Sequence, residues 1–196
     1  MIQWFNETDK GKEVRVLLLD YKKAFDLIHN NLIIQKLRDL NADEILVNWI
    51  RSFLSNPLQQ VKMGKHLSSW LSPNGSVPKG SWLGPVLSLI FINSLKINLP
   101  LVKYMDDTTA SETISSLNCS NMQIACNDIY EWSCINSMVI NEKKTVEMLI
   151  SGKRFKSNLP ALIISNVEIE KVDQTKLLGF GKVILTICKK CKTRIY

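Results

Sequence analysis

No apolar run in this chain reaches the roughly 18–20 residues needed to cross a bilayer. The stretch Trp82–Leu95 is too short and follows a Pro/Gly turn. The opening residues, MIQWFNETDKGKE, have neither the basic flank nor the apolar run of a signal peptide. A membrane-spanning or secreted protein is therefore not expected, and an intracellular compartment is. No internal repeat, low-complexity stretch or Pro/Gly-rich linker divides the sequence, so it reads as one domain or a piece of a larger one. Its five cysteines are an odd number and offer no even framework for secreted disulfides. Cys119, Cys126 and Cys134 recur at 7–8-residue intervals and read as small buried side chains. Cys188 and Cys191 form a CxxC, but no second pair or nearby histidine completes a tetrahedral zinc set.

What is present suits a packed domain: 45% hydrophobic and 22% charged residues. The formal charge of +7 is unevenly placed. Residues 1–142 hold 13 Lys/Arg against 14 Asp/Glu, whereas residues 143–196 hold 12 against 4. The whole excess lies in the last quarter. A basic block favours a polyanion such as nucleic acid, since neutralised phosphates release counterions; a solvated tail has the same composition.

The apolar periodicity predicts alternating strands and helices. Val14–Asp20 is apolar apart from Arg15 and ends in a carboxylate, as a largely buried strand would. Asn31–Leu40 and Asp43–Leu54 have helical spacing, with Asn30 or Asn31 and Asp43 as N-caps. Leu58–Met63 and His66–Leu71 read as a hairpin about Gly64–Lys65, followed by a turn-rich loop and a helix near Trp82–Leu95. Strands Leu99–Met105 and Thr108–Thr113 flank an acidic pair. A helix over Asn121–Ser137 precedes short strands near Val146–Ile150, Ala161–Ser165, Val167–Lys171 and Lys176–Phe180. The class is α+β, with helices packed on one face of a mainly antiparallel sheet.

Two features need a common explanation: Asp20, ending an otherwise apolar strand, and Tyr104-Met105-Asp106-Asp107, an acidic pair between two apolar strands. Separately, an Asp-Asp turn is usually solvated and a strand-end Asp is often a cap. Half-buried carboxylates are costly unless paired or metal-bound, and adjacent like charges add to that cost. A shared divalent cation removes the cost and provides a catalytic centre.

In order along the chain stand LLLDYKKAFD (17–26), VNWIRSFLS (47–55), SSWLSPNGSVPKGSWLGPVLSLIFINSL (68–95) and LVKYMDDTT (101–109). DIYEWSCINSMVINEKKT (128–145) and KLLGF (176–180) continue the series. This order resembles the reverse transcriptase domain of non-LTR (LINE-type) retrotransposons, from about residue 2 to 180. The resemblance implies a polymerase palm with a partial fingers segment and no thumb. Residues 1–180 would be the partial domain, with 30–75 as a palm/fingers insertion and 181–196 as a basic tail unlike the family.

The resemblance also implies roles. Asp20, Asp106 and Asp107 would hold two Mg²⁺ ions, with Mn²⁺ a possible substitute. Phe25 would sit beneath the sugar and exclude a 2′-hydroxyl, the alternative being core packing beside Ala24. The amides of Tyr21, Lys22, Lys23 and Ala24 would face the incoming triphosphate, with Lys22 or Lys23 adding charge. Lys144 would neutralise or protonate the leaving phosphate, or be a surface lysine. Lys79 and Gly80 would lie at the nucleotide, and Tyr104, Met105, Leu178 and Gly179 against the primer. The partners implied are an RNA template, a DNA primer or target, and deoxynucleoside triphosphates, in the nucleus or cytoplasm.

Several positions depart from the family pattern. Ser76 and Lys79 stand where the usual loop reads Ser-Gly-Val-Pro-Gln-Gly, and a lysine cannot accept the hydrogen bond a glutamine can. Ser94 stands where many relatives have Asp, and Met105 where alanine or valine is commoner. The upstream fingers, the thumb and an endonuclease domain are not expected within these residues. Two main functional readings follow: an RNA-directed DNA polymerase domain, or an inactive retrotransposon-derived fragment that at most binds nucleic acid. A zinc module centred on Cys188 and Cys191 is a weaker third.

Overall fold

The computed structural model describes residues 2–23, 27–55, 58, 60–71, 81–104, 107–114, 120–152 and 158–175. The expected loop at 73–80, strand at 176–180 and CxxC lie outside them. The helices are α1 (Ile2–Asp9), α2 (Asn30–Asp39), α3 (Glu44–Leu54), α4 (Leu83–Asn93) and α5 (Met122–Ile135). The strands are β1 (Glu13–Leu19), β2 (Lys62–Met63), β3 (His66–Leu67), β4 (Leu101–Tyr104), β5 (Asp107–Ile114), β6 (Val146–Ser151), β7 (Ile163–Ile164), β8 (Val167–Glu168) and β9 (Glu170–Lys171). The described residues fall into two compact units. The first takes in Met1–Asp20, Ile97–Tyr130 and Asn141–Tyr196; the second, Tyr21–Lys96 and Glu131–Ile140.

A five-stranded sheet ordered β4-β5-β1-β6-β9 organises the first unit. All its pairings are antiparallel except β6 with β9. β1 is central, which explains its near-continuous apolar run. Val14 and Val16 pack with Trp4 of α1 and with Met148 and Ile150 of β6. Alternation sends Arg15, Leu17 and Leu19 to the other face, where Arg15 reaches Ser120, just ahead of α5. Met122, Ala125, Cys126 and Ile129 of that helix are buried. Helix α1 was not expected from the sequence; it ends at a Schellman closure, in which Gly11 (φ +75°) donates to Thr8 O and Lys12 to Glu7 O.

In the second unit α2 packs against α3 and α4. Ile33, Ile34 and Leu37, then Val47, Ile50 and Leu54, then Leu87, Phe91 and Ile92 are the buried stripes. Asp43 caps α3 by accepting from the Ile45 amide at 2.7 Å, as expected. The expected cap of α2 is corrected: His29 occupies that position without a side-chain bond, and Asn30 Nδ2 instead donates to Leu54 O at 2.8 Å. The hairpin turns at Gly64 (φ +61°), but its ladder spans only Lys62–Met63 and His66–Leu67. Both faces are exposed, so nothing packs the longer strands the sequence suggested. Cys134 is exposed, correcting its reading as a buried residue; Cys126 is buried as expected.

Candidate active site

β1 ends at Leu19, which faces Thr108 of β5. Asp20 directly follows Leu19 and Asp107, the first residue of β5, directly precedes Thr108, so the two lie at the same end of this pairing. Tyr104, half-exposed, pairs with Asp107 from the β4 side. Met105 and Asp106, between them in sequence, lie outside the described residues. Two of the three expected aspartates thus come to one end of the sheet, and both are half-buried.

Asp20 is held at three points by Asn141–Thr145, the segment leading into β6. Asn141 Nδ2 donates to Asp20 Oδ2 at 2.8 Å. The Asn141 amide donates to Asp20 O at 2.8 Å, and the Asp20 amide to Thr145 Oγ1 at 3.2 Å. Asn141 O in turn accepts from the amides of Lys144 and Thr145, closing the turn. Neither Asn141 nor Thr145 was singled out from sequence, because their role depends on β6 lying beside β1. Lys144 is exposed on this turn, one residue before Thr145.

The donor chemistry fits a hard divalent cation. Among the described residues no Lys or Arg pairs with the Asp20 carboxylate, so its charge is oriented but not neutralised. A half-buried carboxylate in that condition favours a bound cation. Among the described residues no three His, Cys, Asp or Glu side chains gather into a metal-holding group. The third donor of the expected set is Asp106.

Of the expected nucleotide-side residues, Tyr21, Lys22 and Lys23 fall in the second unit and Lys144 in the first, while Ala24, Phe25, Lys79 and Gly80 are outside the described residues. Tyr21 pairs with Ile140 through an antiparallel bridge. Its ring is buried 6.4 Å from that of Trp132, and burial pushes its hydroxyl up to about 12 despite a 3.4 Å contact with Ser133 Oγ. The Lys22 amide donates to Val139 O at 2.8 Å, so here it is engaged by the fold rather than open to a triphosphate. Lys22 and Lys23 are exposed, and Lys23 has φ +50°, a costly conformation for a lysine. Leu178 and Gly179 lie outside the described residues.

A second polar feature of this unit also escaped the sequence. Lys36 Nζ lies 5.0 Å from the centre of the Phe91 ring and 5.7 Å from that of Trp132. It donates to Ser94 Oγ at 2.6 Å, and Trp132 Nε1 donates to the same oxygen at 3.1 Å. Burial holds the Lys36 ammonium below its ordinary pKa.

Residues 3–181 match the family model described as reverse transcriptase (RNA-dependent DNA polymerase), and the chain belongs to that family. Its kinship with non-LTR elements, read from the ordered blocks, is met by a curated relative. This is the retrovirus-related Pol polyprotein from type-1 retrotransposable element R2 of Popillia japonica. The two are 28% identical over 90 residues, covering 46% of this chain and 15% of the polyprotein. In fold, the chain is similar to a telomerase from Candida tropicalis solved in complex with a TWJ fragment of telomeric RNA. That match has a TM-score of 0.59 at 13% identity, covering 86% of this chain and 31% of the telomerase. The apo telomerase from the same organism, truncated from its C-terminal domain, gives a TM-score of 0.52 at 13% identity, covering 86% of this chain and 37% of that one. At 13% identity the likeness is one of fold. The chain therefore spans about a seventh of the polyprotein and about a third of the telomerases. Among the described residues no helix is long and apolar enough to cross a membrane.

Proposed function

We propose that this domain carries out RNA-templated DNA synthesis, joining a primer 3′-hydroxyl to the α-phosphate of a deoxynucleoside triphosphate with release of pyrophosphate. What supports this reading is that Asp20 and Asp107 lie at the same end of the β1–β5 pairing, with Asp20 oriented by a neutral amide. Asp20, Asp106 and Asp107 would hold two Mg²⁺ ions, for which Mn²⁺ can substitute. When bound, such ions lower the pKa of the attacking hydroxyl and neutralise charge on the leaving phosphates. The chain's own residues bind and orient. Lys22 and Lys23 supply positive charge for the triphosphate, together with the Tyr21 to Ala24 backbone where its amides are open, and Phe25 closes the space a 2′-hydroxyl would need. Lys79 and Gly80 lie at the nucleotide. Lys144 sits on the turn that holds Asp20 and offers a proton to the leaving group. Tyr104, Met105, Leu178 and Gly179 brace the primer strand. The domain is residues 1–180, with 30–75 as its palm/fingers insertion.

Primer extension on an RNA template with Mg²⁺ or Mn²⁺ tests this. Incorporation that Asp106→Asn abolishes is the expected result. No incorporation with either metal, in a sample shown to be folded, sinks the reading.

A second reading, nucleic-acid binding without polymerisation, is favoured by the net +8 of residues 143–196. It predicts salt-sensitive binding to RNA that Asp106→Asn leaves intact, with no extension under any metal.

A further inference from the structure

We propose that Asn141 is a positioning residue for Asp20, setting the carboxylate's orientation toward a divalent cation; this rests on the metal-binding reading above. Three contacts define the arrangement. The Asn141 amide on Asp20 O and the Asp20 amide on Thr145 Oγ1 fix the backbone of Asp20 on both sides. The Nδ2–Oδ2 bond of 2.8 Å then selects the side-chain rotamer. Asn141 is itself anchored, since its carbonyl closes the turn through the Lys144 and Thr145 amides, and Thr145 is fully buried. The next residue, Val146, pairs with Leu18 of β1. The sheet register therefore sets the position of the amide that holds the carboxylate.

The chemistry of the donor matters. A lysine or arginine in this place would fix the carboxylate equally well, but its charge would oppose cation binding. A neutral primary amide orients one oxygen and leaves the full negative charge for the metal. Partners that hold metal ligands in this way typically govern affinity about 10–100-fold when removed.

The test is Mn²⁺ binding to the full 196-residue chain, followed by electron paramagnetic resonance, beside its unfolding midpoint in EDTA. Asn141→Ala is expected to weaken Mn²⁺ binding about 10-fold while the metal-free midpoint moves by only a few degrees, because the backbone contact to Asp20 O survives. Asn141→Ser repeats the comparison should the alanine variant fail to fold, since serine also favours the start of a turn but is too short to reach Oδ2. Asp20→Asn is the control. A Mn²⁺ site weakened by Asp20→Asn yet indifferent to both Asn141 variants overturns the positioning role and spares the metal site. A chain with no saturable site, or one indifferent to Asp20→Asn, overturns both. A purely structural Asn141 would lower the midpoint and leave the affinity of the folded fraction unchanged, which also overturns the proposal.

Discussion

Arg15 Nε and Glu147 Oε1 meet at 2.9 Å inside the sheet, with 1% and 2% of their side chains exposed. Arg15 also donates to Ser120 Oγ at 3.0 Å and to Pro160 O at 2.6 Å. Ser120 in turn donates to Glu112 Oε2 at 2.5 Å, so one guanidinium joins three strands to the segment that starts α5. Removing one partner of such a pair strands a buried charge. Arg15→Met is expected to cost about 3–5 kcal/mol in urea unfolding, and the double substitution Arg15→Met/Glu147→Leu to recover most of that loss. A single variant as stable as the parent would contradict the role given to this pair.

The buried Tyr21 hydroxyl sets a limit at high pH. Its folded pKa of about 12 lies above the ordinary 10, so the contribution of the neutral phenol is complete below pH 10. From there to about pH 12 the unfolded chain loses this proton while the folded chain keeps it, and stability falls. Ultraviolet titration should show Tyr21 ionising near pH 12 rather than near 10. Tyr21→Phe should remove both the late step and its share of the alkaline loss.

Burial also pushes the Cys126 thiol up to about 12, the effect of nearby Arg15 being too small to offset it. Cys134 is exposed. Alkylation at pH 8 followed by peptide mapping should therefore label Cys134 in the folded protein and Cys126 only after denaturation, because the thiolate is the reactive form. Equal labelling of the two would place α5 differently.

Ser94 serves as a neutral acceptor for Lys36. Ser94→Asp should raise the Lys36 pKa and add about 1 kcal/mol of stability at neutral pH, through a charge-assisted bond. Thermal unfolding would check this, and Lys36→Met should abolish the gain.

The parts of the fold that depend on local pattern were legible. β1 showed as an apolar run ending in a carboxylate, α3 as a helical stripe behind its Asp43 cap, and β4 and β5 as strands around an acidic pair. The missed parts depend on distant residues. The burial of Arg15 is intelligible only with Glu147, 132 positions away. Asn30 reads as a cap until the end of α3 provides a better acceptor. α1 is eight residues long, and Trp4 is its buried contact with β1 and β6. At the candidate site the carboxylates could be proposed from sequence because metal chemistry restricts residue type. The amide that holds Asp20 was not, because an Asn before a turn is common and its significance comes from strand register.

The most direct measurement is single-nucleotide extension of a primer annealed to RNA, comparing the wild-type chain with Asp20→Asn at matched folding, in Mg²⁺ and in Mn²⁺. Metal-dependent synthesis at Asp20 predicts addition of a deoxynucleotide by the wild type and a loss of about 10²–10³-fold in the variant, the scale on which removing a key electrostatic group acts. Extension that survives Asp20→Asn, or a folded wild type that adds no nucleotide with either metal, would contradict it.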